Sequence, residues 1–155
     1  MHKPSDTFHS FEEIMLNSHF WNWLPDWQVV QEVYKVFPNS FSVLTPFAYS
    51  YLEELIRSNT SEYGVEIYDE KGLPKERRTG IKLIKLAIEE NKQKSPDFLR
   101  LLKEVRKYYY NSTRSDEGDN RHSVAHGYMH PRFWSKESFE NLITDIARLS
   151  KFANF

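Results

Sequence analysis

Apolar residues at helical spacing constrain this chain more than any other feature. Phe98, Leu101, Leu102, Val105 and Tyr108 or Tyr109 recur three and four residues apart, and Phe139, Leu142, Ile143, Ile146 and Leu149 repeat the pattern near the C-terminus. Side chains at these intervals share one face of a helix, so each segment must bury a stripe against other helices. Both stripes have matching starts. Ser95, Pro96 and Asp97 supply an N-cap, a first-turn proline and an acid at the positive dipole end. Ser135 or a neighbour caps the second.

The same reading extends upstream. Ser10 and Glu13 have the form of a capping box, which predicts a first helix from about Phe11. Pro25 and Asp26 restart the chain, Trp27, Val30, Tyr34 and Phe37 recur at helical spacing, and Pro38 stops the run. Trp21, Trp23 and Trp27, close to Leu24, are expected in the core. "SFSVLTPFAYSYLEELIRS" predicts a longer helix whose apolar face holds Phe47, Tyr51, Leu52, Leu55 and Ile56, with Thr45-Pro46 as an internal cap or a kink. Ile81, Ile84 and Ile88 mark a further helix. Residues 59–78 are the least regular, and "VEIYDEKG" reads as a short strand, a hairpin or a surface loop. The expectation is one all-α domain over residues 1–155, a bundle of about five or six helices.

A chain of 155 residues can bury roughly 70% of its unfolded surface in one core. The absence of cysteine excludes disulfides, thiolate metal sites and cysteine nucleophiles. "MHKPSDTFHSFEE" lacks the apolar run of a secretion signal, and no stretch approaches the roughly 20 apolar residues that span a bilayer. A cytoplasmic protein with no membrane partner is expected. The net charge of −1 hides an asymmetry: residues 1–70 carry three Lys/Arg against eleven Asp/Glu, and residues 71–114 carry thirteen against five. Such a basic segment either faces a polyanion or packs against the acidic part and neutralises it.

Chemistry concentrates in "DNRHSVAHGYMHP", Asp119–Pro131, which holds three of the six histidines. Three readings compete. His122 and His126 form an i, i+4 pair of the kind that chelates zinc, but His130 lies roughly 12 Å from His122 along one helix. Ser123 also stands where an H-E-x-x-H pattern needs glutamate, so no metal or other cofactor is expected. Acid–base chemistry on phosphate fits the residue types better. Arginine pairs bidentately with a phosphate and stabilises charge growing on its oxygens, while histidine exchanges protons near neutral pH. RNA brings its own nucleophile, the 2′-hydroxyl. Arg121 and His126, however, point about 140° apart on an ideal helix and meet on one substrate only through arginine's length, a broken helix or a second subunit. Gly127 makes an early helix end plausible. The third reading is an inert polar helix end, capped by Asp119, terminated by Gly127 and turned out by Pro131.

"NRHSVAHGY", Asn120 to Tyr128, resembles the signature of the HEPN superfamily: Arg, four to six residues, then His. A polar residue commonly follows the arginine, and here it is His122. The all-α pattern and the motif's place before the final helix extend the resemblance. It implies a HEPN-like helical bundle that dimerises so that two motifs line one cleft. It implies a metal-independent endoribonuclease cutting single-stranded RNA, of the kind found in toxin–antitoxin and abortive-infection systems. Arg121 and His126 match the family's catalytic pair, with His122 and Asn120 in supporting places. One subgroup, paired with a nucleotidyltransferase antitoxin, carries a tyrosine two residues after the histidine that accepts AMP, and Tyr128 occupies that slot. The resemblance has two departures: Asp116, Glu117 and Asp119 put negative charge just before the motif, and residues 59–78 have no family counterpart. Some family members bind RNA, nucleotides or partner proteins without cleaving, so a non-catalytic module is the alternative.

Overall fold

The computed structural model describes residues 4–155, so the first three residues of the N-terminal stretch lie outside it. Among the described residues seven α-helices form: α1 (Pro4–Asn17), α2 (Leu24–Val36), α3 (Phe41–Arg57), α4 (Gly80–Glu90), α5 (Pro96–Val105), α6 (Arg121–His126) and α7 (Lys136–Ser150). Six are of ten residues or more, matching the expected bundle, and α6 is a short seventh. Among the described residues there is no strand; an isolated antiparallel bridge, Tyr68 to Pro74, pins residues 59–78 as a loop.

α7 is the central helix, packing along α1, α3 and α5, while α2 covers α1 and α4 bridges α3 and α5. Its expected stripe, Phe139, Leu142, Ile143, Ile146 and Leu149, is buried throughout. Ser135 accepts from the Ser138 N–H and is the cap. Ser95 likewise caps α5 by accepting from the Phe98 N–H. Aromatic rings fill the space between α1, α2, α3 and α7: Trp27 and Tyr51 meet edge-to-face at 5.0 Å, and Phe11 and Tyr34 at 5.7 Å. Such pairs add about 0.5–1.5 kcal/mol beyond their buried area.

Three local expectations are corrected, and one of two alternatives is removed at Thr45-Pro46. α1 starts at Pro4 rather than near Phe11, because Phe8, Phe11 and Met15 continue one stripe upstream. Ser10 is therefore buried inside the helix, and Glu13 meets Lys151 at 3.3 Å. Of the three tryptophans only Trp27 is fully enclosed; Trp23 is half-buried and Trp21 is exposed. Phe37, in the non-helical C-cap conformation forced ahead of Pro38, also turns outward. Pro46 lies inside a continuous α3, and Thr45 spends its hydroxyl on the Phe41 carbonyl at 2.7 Å instead of capping a new helix.

The opposed charges of the two parts meet where Arg78 pairs with the nearly buried Glu62 at 2.7 Å, while Lys107 of the basic segment pairs with Asp145 of α7 at 2.7 Å. Among the described residues no carboxylate pairs with Lys85, Arg106 or Arg114 of the basic segment.

Candidate active site

The site is built where α5 gives way to α6. α5 tightens into a 3-10 turn, Arg106–Tyr109, and the chain then runs as a polar loop to Asn120. This loop is tied down from within. Asp116 accepts from the Thr113 N–H at 2.6 Å and the Thr113 hydroxyl at 2.9 Å, and Asp119 accepts from the Glu117 N–H at 3.2 Å. Two of the three acids ahead of the motif thus serve the loop's own donors. Gly118, with φ of 88°, ties the loop to α3: its carbonyl accepts from Tyr49 Oη–H at 2.9 Å. A Cβ there would stand 3.1 Å from Trp134 Cβ.

Asn120 caps α6, in place of the Asp119 cap that the inert reading required. Its side-chain oxygen accepts from the Ser123 N–H at 3.0 Å, and its Nδ2 donates to the Tyr110 carbonyl at 2.7 Å. One buried amide therefore fixes both ends of the loop. At the other end of α6, Gly127 adopts the left-handed conformation (φ 64°) and Tyr128 N–H bonds back to Ser123 O at 3.2 Å. The helix ends at His126, as the glycine foretold.

The predicted pair stands at the two ends of the six-residue helix α6. Arg121 turns inward and is held bidentately by Glu53 of α3, Nε to Oε1 at 2.9 Å and Nη2 to Oε2 at 3.2 Å. Glu53 Oε1 also accepts from the Gly80 N–H at 2.8 Å, so the carboxylate joins α3, α4 and α6. The fully buried Tyr109 hydroxyl has no hydrogen-bond partner among the described residues. Burial, reinforced by Glu53 and opposed by Arg121 and Arg57, pushes its pKa well above the ordinary tyrosine value.

His126 packs against His122, with ring centroids 4.2 Å apart and the ring planes tilted by 51°. His122 Nε2 is 3.3 Å from the Tyr128 hydroxyl, which completes an exposed His–His–Tyr cluster. His130 is elsewhere: its Nδ1 accepts from the Arg132 N–H at 3.3 Å and caps the turn Pro131–Phe133. The even spacing of three histidines thus yields a pair and an outlier. Among the described residues no third His, Asp or Glu joins a cluster suited to a metal ion.

Arg121 stands between two cavities. An open one of about 390 Å³ is lined by Tyr109, Tyr110, Asn111, Ser112, Arg121 and His122; a smaller one, about 160 Å³, lies between α3 and α6 beside Glu53 and Val124. The larger continues on both sides. Past Tyr110 it meets a space of about 500 Å³ that carries Lys85 and Arg106, and past Ser112 one of about 490 Å³ that carries Arg114 and Tyr128. Sequence reasoning missed Glu53, Tyr110, Asn111 and Ser112. Glu53 alone left a signal, as a charged residue within the apolar run of α3, one turn from both Tyr49 and Arg57.

Comparisons with family models, with curated proteins and with solved structures find no match to this chain.

Proposed function

We propose that this chain is a HEPN-like, metal-independent endoribonuclease acting on single-stranded RNA as a homodimer. The observation that carries this reading is the placement of Arg121: oriented by Glu53, it lines an open cavity with His122, and His126 packs against His122. In the reaction, the 2′-oxygen bonds to the adjacent phosphorus and the bond to the 5′-oxygen breaks, leaving a 2′,3′-cyclic phosphate and a 5′-hydroxyl. One histidine accepts the 2′-hydroxyl proton and a proton is returned to the departing 5′-oxygen, the work assigned to His126. Arg121 stabilises the charge on the non-bridging oxygens. Positions 121 and 126 diverge by about 140° on an ideal helix, so in this reading the histidine acting with a given Arg121 comes from the second subunit.

The reading extends to regulation. The Tyr128 hydroxyl, half exposed beside His122, is the acceptor for AMP from a nucleotidyltransferase-type antitoxin in a toxin–antitoxin or abortive-infection setting. Transfer from ATP would release pyrophosphate and seat an anion on the histidine pair. Among the described residues no helix is long and apolar enough to cross a membrane.

The test incubates the purified protein with single-stranded RNA in EDTA beside Arg121→Ala and His126→Ala. Cleavage that survives EDTA, leaves cyclic phosphate ends and disappears in both variants supports the enzyme. A folded wild-type dimer that cuts nothing returns the chain to a second reading, a non-catalytic module binding RNA, a nucleotide or a protein. One observation favours that alternative: two nitrogens of Arg121 are already engaged by Glu53.

A further inference from the structure

Tyr110 is the surface aromatic of this region whose position is most firmly set and least explained by packing. It follows Tyr108 and Tyr109, both buried in the core, yet its own ring is 54% exposed. Its backbone is extended (φ −74°, ψ 172°), and the carbonyl is anchored by the buried Asn120 amide at 2.7 Å. The residue therefore projects from a fixed point, where an exposed tyrosine serving only as surface needs no such anchor.

What flanks the ring is informative. Tyr110 belongs to the walls of two open cavities that share Ile81, Tyr109 and Asn111. One holds Arg121 and His122; the other holds Lys85 and Arg106. The Arg106 guanidinium carbon lies over the Tyr110 ring, 5.8 Å from its centroid. An exposed aromatic ring with cations in the spaces on both sides is the arrangement that binds a single strand: a base stacks on the face opposite Arg106 and the phosphates before and after it meet the cations. A duplex keeps its bases stacked on each other and cannot offer one to a fixed ring. A simple polyanion would use the cations and ignore the tyrosine.

We infer that Tyr110 is the stacking platform for one unpaired nucleobase of a single-stranded RNA, with one flanking phosphate in the Arg121 cavity and the other in the Lys85–Arg106 cavity. This rests on the ribonuclease reading for the identity of the ligand and adds the subsite that sets single-strand preference. Asn111, exposed and common to both cavities, supplies donor and acceptor groups at the edge of the stacked base.

The experiment measures binding of a short 2′-O-methyl RNA, which lacks the attacking hydroxyl, by fluorescence anisotropy across a salt series. An abasic phosphodiester oligomer of equal length and an RNA duplex are the companion ligands. Tyr110→Leu should weaken binding of the base-bearing strand about 5- to 150-fold, with its salt slope unchanged, and Tyr110→Phe should bind like wild type. Neither change should alter affinity for the abasic strand. The double variant Lys85→Ala, Arg106→Ala should lower the salt slope by about 0.7, as expected for one lost phosphate contact on a single strand. Equal affinity of wild type and Tyr110→Leu for the base-bearing strand, or an equal loss on the abasic strand, overturns the inference.

Cleavage of ordinary RNA is followed in parallel. Base-dependent binding through Tyr110 without cleavage upholds the subsite and defeats the nuclease. Cleavage with kcat/KM untouched by Tyr110→Leu upholds the nuclease and defeats the subsite. Absence of both binding and cleavage by folded wild type overturns both.

Discussion

Glu53 and Arg121, 68 residues apart in sequence, form a two-point ion pair with Nε to Oε1 at 2.9 Å and Nη2 to Oε2 at 3.2 Å. The pair is mostly withdrawn from water, with side-chain exposures of 11% for Glu53 and 24% for Arg121. Removing one partner of such a pair strands the other charge, which is more damaging than removing both. Glu53→Ala should lower stability by about 2–4 kcal/mol, since it also orphans the Gly80 N–H. Urea denaturation of Glu53→Ala, Arg121→Ala and the double variant should reveal a coupling of about 1–2 kcal/mol. Additive losses would mean that the pair is energetically idle.

A site completed across a dimer makes a distinctive demand on mixtures. Arg121→Ala and His126→Ala proteins, each inactive alone, should regain about a quarter of wild-type activity after equimolar subunit exchange. Half of the dimers are mixed, and one of the two sites in each combines an intact arginine with an intact histidine. Activity that stays at background despite demonstrated exchange would place both residues of each site on one chain.

Asn120 performs two tasks that substitution can separate. Asn120→Ala removes the α6 cap and the bond to the Tyr110 carbonyl, and should lower stability by about 1–2 kcal/mol. Asn120→Ser keeps a capping hydroxyl but is too short to reach the Tyr110 carbonyl, so it should retain more of the stability than alanine does. If Tyr110 binds a base, Asn120→Ser should still weaken single-strand binding, because its anchor is gone. Thermal melts and the anisotropy assay give the two readouts.

Alkaline pH should attack the core through its tyrosines. Burial pushes the Tyr51 hydroxyl up to about 12, partly offset by its hydrogen bond with Ser18, and raises Tyr49 and Tyr108 still further. These groups are neutral in the fold and ionise near pH 10 when unfolded, so their contribution is intact below about pH 10. It is lost progressively as pH rises from there toward the folded values. Tyrosinate absorbance from these residues should therefore appear together with loss of helical circular dichroism.

Gly118 combines a positive φ of 88° with a Cβ direction blocked by Trp134. Gly118→Ala should cost about 1–3 kcal/mol, through strain and displacement of the loop that leads to Asn120. Gly72, also at positive φ, has open space around it, and alanine there should be felt less. Denaturant midpoints of the two variants give the comparison.

The helices themselves were legible in the sequence because they are written locally. A stripe at three- and four-residue spacing, Ser95 and Ser135 at the right offsets, and Gly127 after His126 each act through neighbours on one helix. The awkward angle between Arg121 and His126 was legible for the same reason, since both stand on the single short helix α6. Local pattern could mislead only where burial overrode it: Ser10 and Glu13 read as a cap but lie inside α1, and Trp21 reads as core but projects into solvent. No local pattern could select the carboxylate that meets Arg121, or bring Tyr110 between cations from α4, from the turn after α5 and from α6. Those choices depend on how α3, α4 and α6 converge, and that convergence is set by the shared apolar core rather than by any single segment.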